Sequence, residues 1–279
     1  DHALGILHDR LSERSRRRVV FLDMDLFPQE LPFFLNQGPG WHELSFQPSG
    51  QEPVDLKDIV SLCVNGMHVS QDAGVGFSPD DFAYLSVECW ASLFAVCSTV
   101  SRTGLVANFV AQREFTACRF SRLAYLSRFG VPIPRLMVTS NPASVREFFR
   151  QQQGRVECQA VVAGKAPRVM EVLDLERAEQ VRLAPVQFES RHVGQSVWLA
   201  IVGDRAISCP AHVEGPPAEV QQACVDAARS LGLKLAEVFF RRTETGAFVA
   251  HDLYSFLTPG ILAAQPVLES ALNLLEEGK

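Results

Sequence analysis

Residues 130–149, GVPIPRLMVTSNPASVREFF, leave few ways for this chain to fold. Gly130 ends a helix expected over 111–129, and the VPIP that follows cannot continue it, because proline lacks the amide hydrogen and its ring clashes with the preceding turn. RLMVTS at 135–140 then reads as a strand. Asn141 supplies an N-cap and Pro142 sits in the first turn of a helix that runs through VREFFRQQQ until Gly154 stops it. VECQAVVA at 156–163 is another strand, followed by the AGKAPR loop and by VMEVLDL, expected as a strand in turn. This order describes a small α+β lobe able to clamp a ligand against a neighbouring domain.

On either side the pattern continues. A short helix, ALGILHDRLSER, precedes VVFLDMDLFP at 19–28, an apolar strand running into a loop, and WHELSFQ (41–47) and DIVSLCV (58–64) are further strand candidates. FSPDDFAYLSVECWASLFAVCSTV at 77–100 reads as a long amphipathic helix: Ser78 is its N-cap, Pro79 opens it, and Asp80 and Asp81 meet the positive end of the dipole. Beyond the lobe, VWLAIVG (197–203) and RAISCPAHV (205–213) form a hairpin turning at Gly203 and Asp204. A helix follows at 218–231, ended by Gly232. KLAEVFFRR and AFVAHDLYSF make a second hairpin around Thr245 and Gly246, and a helix closes the chain at 261–277. The expected division is an N-terminal α/β domain (1–110), a central lobe (111–184) and a C-terminal lobe (185–279).

Among 279 residues, 47% are hydrophobic and 21% charged, enough apolar material for packed subdomains. A net charge of −6 gives nucleic acid little to hold, and the basic run Arg14, Arg16, Arg17, Arg18 is expected at the solvated end of the first helix. No long uninterrupted apolar window and no signal-peptide pattern is visible, so a cytoplasmic protein without a membrane span is expected. Seven dispersed cysteines, an odd number without a CxxC pair, argue against both a zinc site and a disulfide framework. The GxSxG, HExxH and Walker motifs are missing as well.

Several segments occur together in one order: LDMDLFP at 22–28, VAN at 106–108 before the helix into GVPIP, TSNPASVREFF, WLAIVGDRAIS at 198–208, and the helix, LGL and double strand from 223 to 252. In this the chain resembles the ATP-grasp ligases over nearly its whole length, most closely the branch that modifies ribosomally made peptides, such as the microviridin ligases. The resemblance implies an ATP-grasp-like fold, an N-terminal α/β domain with two α+β lobes flanking a cleft. It also implies activation of a carboxylate as an acyl-phosphate with ATP and magnesium, then transfer to an amine or hydroxyl. That chemistry needs cations on the triphosphate and oxygen ligands on the metal.

Carried over residue by residue, the resemblance places Arg119 where the family keeps its first phosphate-contacting lysine and Gln159 where it keeps the second, with Lys165 in the following loop as a substitute. Trp198 stands for an arginine and Phe239 for a metal-binding aspartate. Within AHDLYS, Asp252 stands for a metal-binding glutamate and Tyr254 for an asparagine. His251 and Asp252, adjacent on a strand, are expected on opposite faces, one exposed and one inward, and His192 on a polar surface loop. The losses at Gln159, Trp198, Phe239 and Tyr254 imply a catalytically degenerate protein without bound ATP or magnesium, serving as a subunit that binds a peptide or an active ATP-grasp ligase; related ligases imply a homodimer. The alternative is a divergent ATP-dependent carboxylate-amine or -hydroxyl ligase using Arg119 and Lys165 on phosphate and Asp252 on magnesium.

Overall fold

The computed structural model describes residues 2–21, 32–38, 41–47, 52–64, 78–108, 118–161 and 167–278. In chain order its elements are α1 (His2–Arg14), β1 (Phe33–Gly38), β2 (Trp41–Phe46), β3 (Val54–Asp55), β4 (Ser61–Cys63), α2 (Pro79–Val100) and β5 (Leu105–Ala107). There follow α3 (Arg119–Arg128), β6 (Leu136–Thr139), α4 (Pro142–Gln151), β7 (Val156–Ala160), β8 (Arg168–Val169), a 3-10 helix (Val172–Leu183) and β9 (Val186–Ser190). The chain ends with β10 (Gly194–Val202), β11 (Arg205–Cys209), α5 (Ala218–Ser230), β12 (Leu235–Thr243), β13 (Phe248–Tyr254), α6 (Pro259–Leu262) and α7 (Gln265–Glu277). Two compact units result, one of Asp1–Gln112 with Thr258–Lys279 and one of Arg113–Leu257.

In the first unit β1, β2 and β3 form an antiparallel sheet, and β4 pairs with β5 in parallel. Helix α2 starts as its sequence dictates, with the Ser78 side chain accepting from the Asp81 amide at 3.2 Å and Pro79 in the first turn. It is long and apolar enough to cross a membrane by length and composition. Its Cys89, Leu93, Val96, Cys97 and Val100 nevertheless pack with Phe46, Leu56 and Val106 in the core of the unit. The basic run is exposed at the end of α1, as expected, and it also makes long-range contacts. Arg14 pairs with Glu269 at 2.8 Å and Glu276 at 2.9 Å, Arg17 donates to the Glu276 carbonyl, and Arg18 to that of Glu52. Three of these arginines thus serve to tie α1 and its exit to α7 and to the chain before β3. The strand expected over 19–28 falls mostly outside the described residues, and residues 19–21 join no sheet.

The second unit holds two four-stranded antiparallel sheets, ordered β6-β9-β7-β8 and β11-β10-β12-β13. Alternation along β9 and β7 sends Phe188 and Val156 into a core with Val145, Phe148 and Phe149 of α4 and Ala178 and Val181 of the 3-10 helix. In the other sheet Val197, Leu199, Ile201, Val238, Phe240 and Leu253 pack against Leu123 and Leu126 of α3 and Cys224, Val225, Ala227 and Ala228 of α5. Each sheet therefore has one apolar face under helices and one face left for other work. Two expectations are corrected. VMEVLDL gives only the end of β8 before the 3-10 helix, because the Asp174 carboxylate accepts from the Glu171 amide at 2.8 Å and from Arg168, which turns the chain. The stretch ESRHVGQS before β10, expected as a loop, begins inside β9, which lies between β6 and β7.

Gly194, opposite Thr243 at the start of β10, has no room for a side chain: a Cβ would lie 1.9 Å from the Arg242 carbonyl oxygen. Gly194→Ala is expected to lower stability by about 1–3 kcal/mol in chemical denaturation. Gly5→Ala in α1, where a Cβ meets nothing within 4 Å, is expected to raise it by about 0.5–1 kcal/mol.

Candidate functional site

Helix α3 is amphipathic in an unusual sense. Leu123 and Leu126 enter the core, while Arg119 and Arg122, one turn apart at its start, are buried as well. Buried guanidinium groups must find carboxylates, and these do. Arg119 makes a bidentate pair with Glu189 of β9, Nη1 donating to Oε2 at 2.7 Å and Nη2 to Oε1 at 3.0 Å, and its Nε donates to the His251 carbonyl at 2.7 Å. Arg122 makes a second bidentate pair with Asp252 of β13, at 2.8 and 3.0 Å, and Asp252 Oδ1 also accepts from the Leu253 amide. Two cations and two anions cancel, and the parallel forks match the planar carboxylates.

The geometry of β13 brings its groups here. Phe239 of β12 stands opposite Asp252, whereas Phe240 stands opposite Ala250, so His251 is the extra residue of a β-bulge. The bulge breaks the alternation expected from sequence: His251 and Asp252 are both buried, at 3% and 7% exposure, instead of one being exposed. His251 Nδ1 lies 3.8 Å from Glu189 Oε1, and the His192 ring packs edge-on against the His251 ring at 5.6 Å. His192 is thus half-buried inside this group, not part of a polar surface. Burial alone would raise the Glu189 carboxyl, but the His251 side chain and the Arg119 charge hold it below its ordinary value of 4.5. Burial and the neighbouring His251 keep the His192 imidazole below its ordinary 6.5.

On the free face of the β11-β10-β12-β13 sheet, Trp198 and Phe239 are direct cross-strand partners with ring centroids 4.6 Å apart. Tyr254 lies 6.0 Å from Trp198, His251 6.1 Å from Phe239, and the Arg241 guanidinium sits 5.4 Å above the Phe239 ring. Burial and the Asp252 charge push the Tyr254 hydroxyl up. Three of the four positions where the resemblance implies a lost family residue, Trp198, Phe239 and Tyr254, therefore form one aromatic surface beside the ion-pair network. The fourth, Gln159, is half-buried on β7 opposite Gln187 of β9.

Of the residues the sequence suggested for phosphate and metal, Arg119 and Asp252 are brought together, each facing a countercharge of the protein itself. Lys165 lies outside the described residues. Burial pushes the Cys158 thiol up, which disfavours a reactive thiolate, and no group of three His, Cys, Asp or Glu among the described residues could hold a metal ion. Sequence reading missed Arg122, Glu189 and Gln187. The signal existed: V-Q-F-E-S at 186–190 alternates with period two, and Arg119 and Arg122 are spaced by one helical turn.

No protein-family model and no curated protein matches the chain. Solved structures match over nearly all of it. The macrocyclase MdnC bound with precursor peptide MdnA, from Microcystis aeruginosa MRC, has a TM-score of 0.82 at 14% identity, covering 99% of this chain and 96% of that one. The ATP-grasp ligase PsnB complexed with minimal precursor, Mg and ADP has a TM-score of 0.80 at 21% identity, covering 99% and 94%. A Chryseobacterium gregarium RiPP-associated ATP-grasp ligase in complex with ADP and a leader and core peptide has a TM-score of 0.81 at 12% identity, covering 98% and 92%. The chain has the fold of these ATP-grasp ligases.

Glu189→Gln leaves Arg119 buried against a neutral partner and is expected to cost about 3–5 kcal/mol, whereas the double change Arg119→Met with Glu189→Leu should cost much less, as urea titrations of both variants will show. In the wild type the Glu189 contribution is full above about pH 4.5, the unfolded value, and is lost as pH falls through the lower folded value. Thermal melts across that window should therefore fall steeply with acid for the wild type and less steeply for the double variant.

Proposed function

We propose that this chain is a catalytically degenerate ATP-grasp-like protein that binds a peptide, or an active ligase acting on that peptide, in the modification of ribosomally made peptides. The observation that carries this reading is the fate of the charges. Apart from Lys165, which lies outside the described residues, Arg119 and Asp252 are the residues that would contact phosphate and magnesium, and Glu189 and Arg122 take up both in bidentate pairs.

Magnesium does not fit Asp252 as it is held. Both of its oxygens accept from Arg122, and the Arg119 Nε is a further 3.7 Å from Oδ2, so a divalent cation would have to approach against two guanidinium groups. Nor does a triphosphate fit where Trp198 and Phe239 pack as an apolar pair in place of a cation and a carboxylate. No step of phosphoryl transfer can be built on these residues. The peptide half of the reading is supported by likeness to MdnC, which is bound with its precursor peptide, and to the Chryseobacterium ligase, which holds a leader and a core peptide. Fold likeness alone transfers no substrate.

Calorimetric titration with a non-hydrolysable ATP analogue, with and without magnesium, tests the reading. No binding is expected at millimolar nucleotide. Magnesium-dependent micromolar binding would instead favour the divergent ligase, in which Asp252 leaves Arg122 to hold the metal and Asp252→Ala abolishes turnover.

A further inference from the structure

Gln187 is fully buried, at 0% exposure, and neither its amide oxygen nor its amide nitrogen has a hydrogen-bond partner among the described residues. A primary amide carries two donor hydrogens and an acceptor oxygen, and leaving all of them unmet inside a protein is costly. Packing does not account for it. The apolar core of this sheet lies on the Phe188 side of β9, and alternation puts Gln187 on the other face with Glu189. Cross-strand register sets a second carboxamide, Gln159, directly opposite it.

Next to Glu189 on that face is a second buried group with an unmet atom. His251 Nε2 has no partner among the described residues, and its Nδ1 faces the Glu189 carboxylate. His192 Nδ1, in the ring packed against His251, is unmet too. These groups stand beside charges that are already paired, Arg119 with Glu189 and Arg122 with Asp252. Phosphate or carboxylate would need a cation, and the guanidinium forks of Arg119 and Arg122 face Glu189 and Asp252.

We infer that Gln187, opposite Gln159 and two residues from Glu189 on the same face of β9, is a recognition site for an uncharged amide group of a peptide, one that donates N–H and accepts at C=O. This rests on the peptide-binding reading above and names the chemistry of the group bound. The aromatic surface continues the site: Phe239, 6.1 Å from His251, and Trp198 behind it suit an apolar stretch of the same peptide. The amide is either a backbone peptide unit or the side chain of Asn or Gln.

The test follows the side-chain amide signal of Gln187 in nitrogen-15 NMR of the full chain, assigned by its loss in Gln187→Leu, or in the closely shaped Gln187→Met should the first variant unfold. The probes are N-methylacetamide for a backbone unit, acetamide for a side-chain carboxamide, acetate, inorganic phosphate and adenosine. One of the two amides is expected to shift the signal saturably. The shifts it induces in the rest of the spectrum should need at least about tenfold more probe in the variant, since a buried donor and acceptor are lost together. The stronger amide identifies the source. A response to acetate or phosphate as large as to the amides, a response to adenosine alone, or none at all would overturn the inference. Magnesium-dependent nucleotide binding beside a normal amide response would overturn the function reading and leave this site standing. Silence from both amides in a chain that binds no nucleotide would do the reverse.

Discussion

Arg119 holds the second unit together in a way no apolar contact could. Its fork reaches Glu189 on the β6-β9-β7-β8 sheet and its Nε reaches the backbone of β13 on the other sheet, so a single buried side chain at the start of α3 spans both. Arg122 repeats the attachment one turn later through Asp252. Hydrophobic packing is tolerant of direction, but two bidentate pairs fix distance and angle at once. The arrangement is rigid at the cost of making its charges unavailable to a ligand.

That trade has consequences for the neighbouring sheet face. With Asp252 held by Arg122, a further isolated cation or carboxylate at 198 or 239 would be expensive to bury. A cross-strand Trp198–Phe239 pair carries no such penalty and gains from ring packing and from Arg241 above it. The aromatic surface and the closed ion pairs thus lie beside one another in the site. The Gln187 carboxamide, His192 Nδ1 and His251 Nε2 remain without hydrogen-bond partners among the described residues.

Much of the fold could be read from local chemistry. The Ser78 and Asn141 caps, the stops at Gly130, Gly154 and Gly232, and the turns at Gly203 and Gly246 all occur where short-range rules put them, and each of these five glycines adopts positive φ. VMEVLDL failed because a capping interaction between Glu171 and Asp174 overrides the β preference of its apolar residues. Strand β9 escaped notice because five residues containing a glutamine and a glutamate look like loop until the Phe188 side is seen to be core. The aromatic replacements at 198, 239 and 254 were legible one by one, but their contact was not.

By itself, then, the sequence determined most of the elements and their order, since these depend on residues near one another in the chain. Tertiary structure alone decided where the surviving charges point. Arg119 meets a carboxylate 70 residues away and Arg122 one 130 residues away, and the bulge at His251 turns a neighbour expected to be exposed into the buried core of the network. Such partners are chosen by the desolvation of charge in a particular packed space, and no local pattern encodes that space.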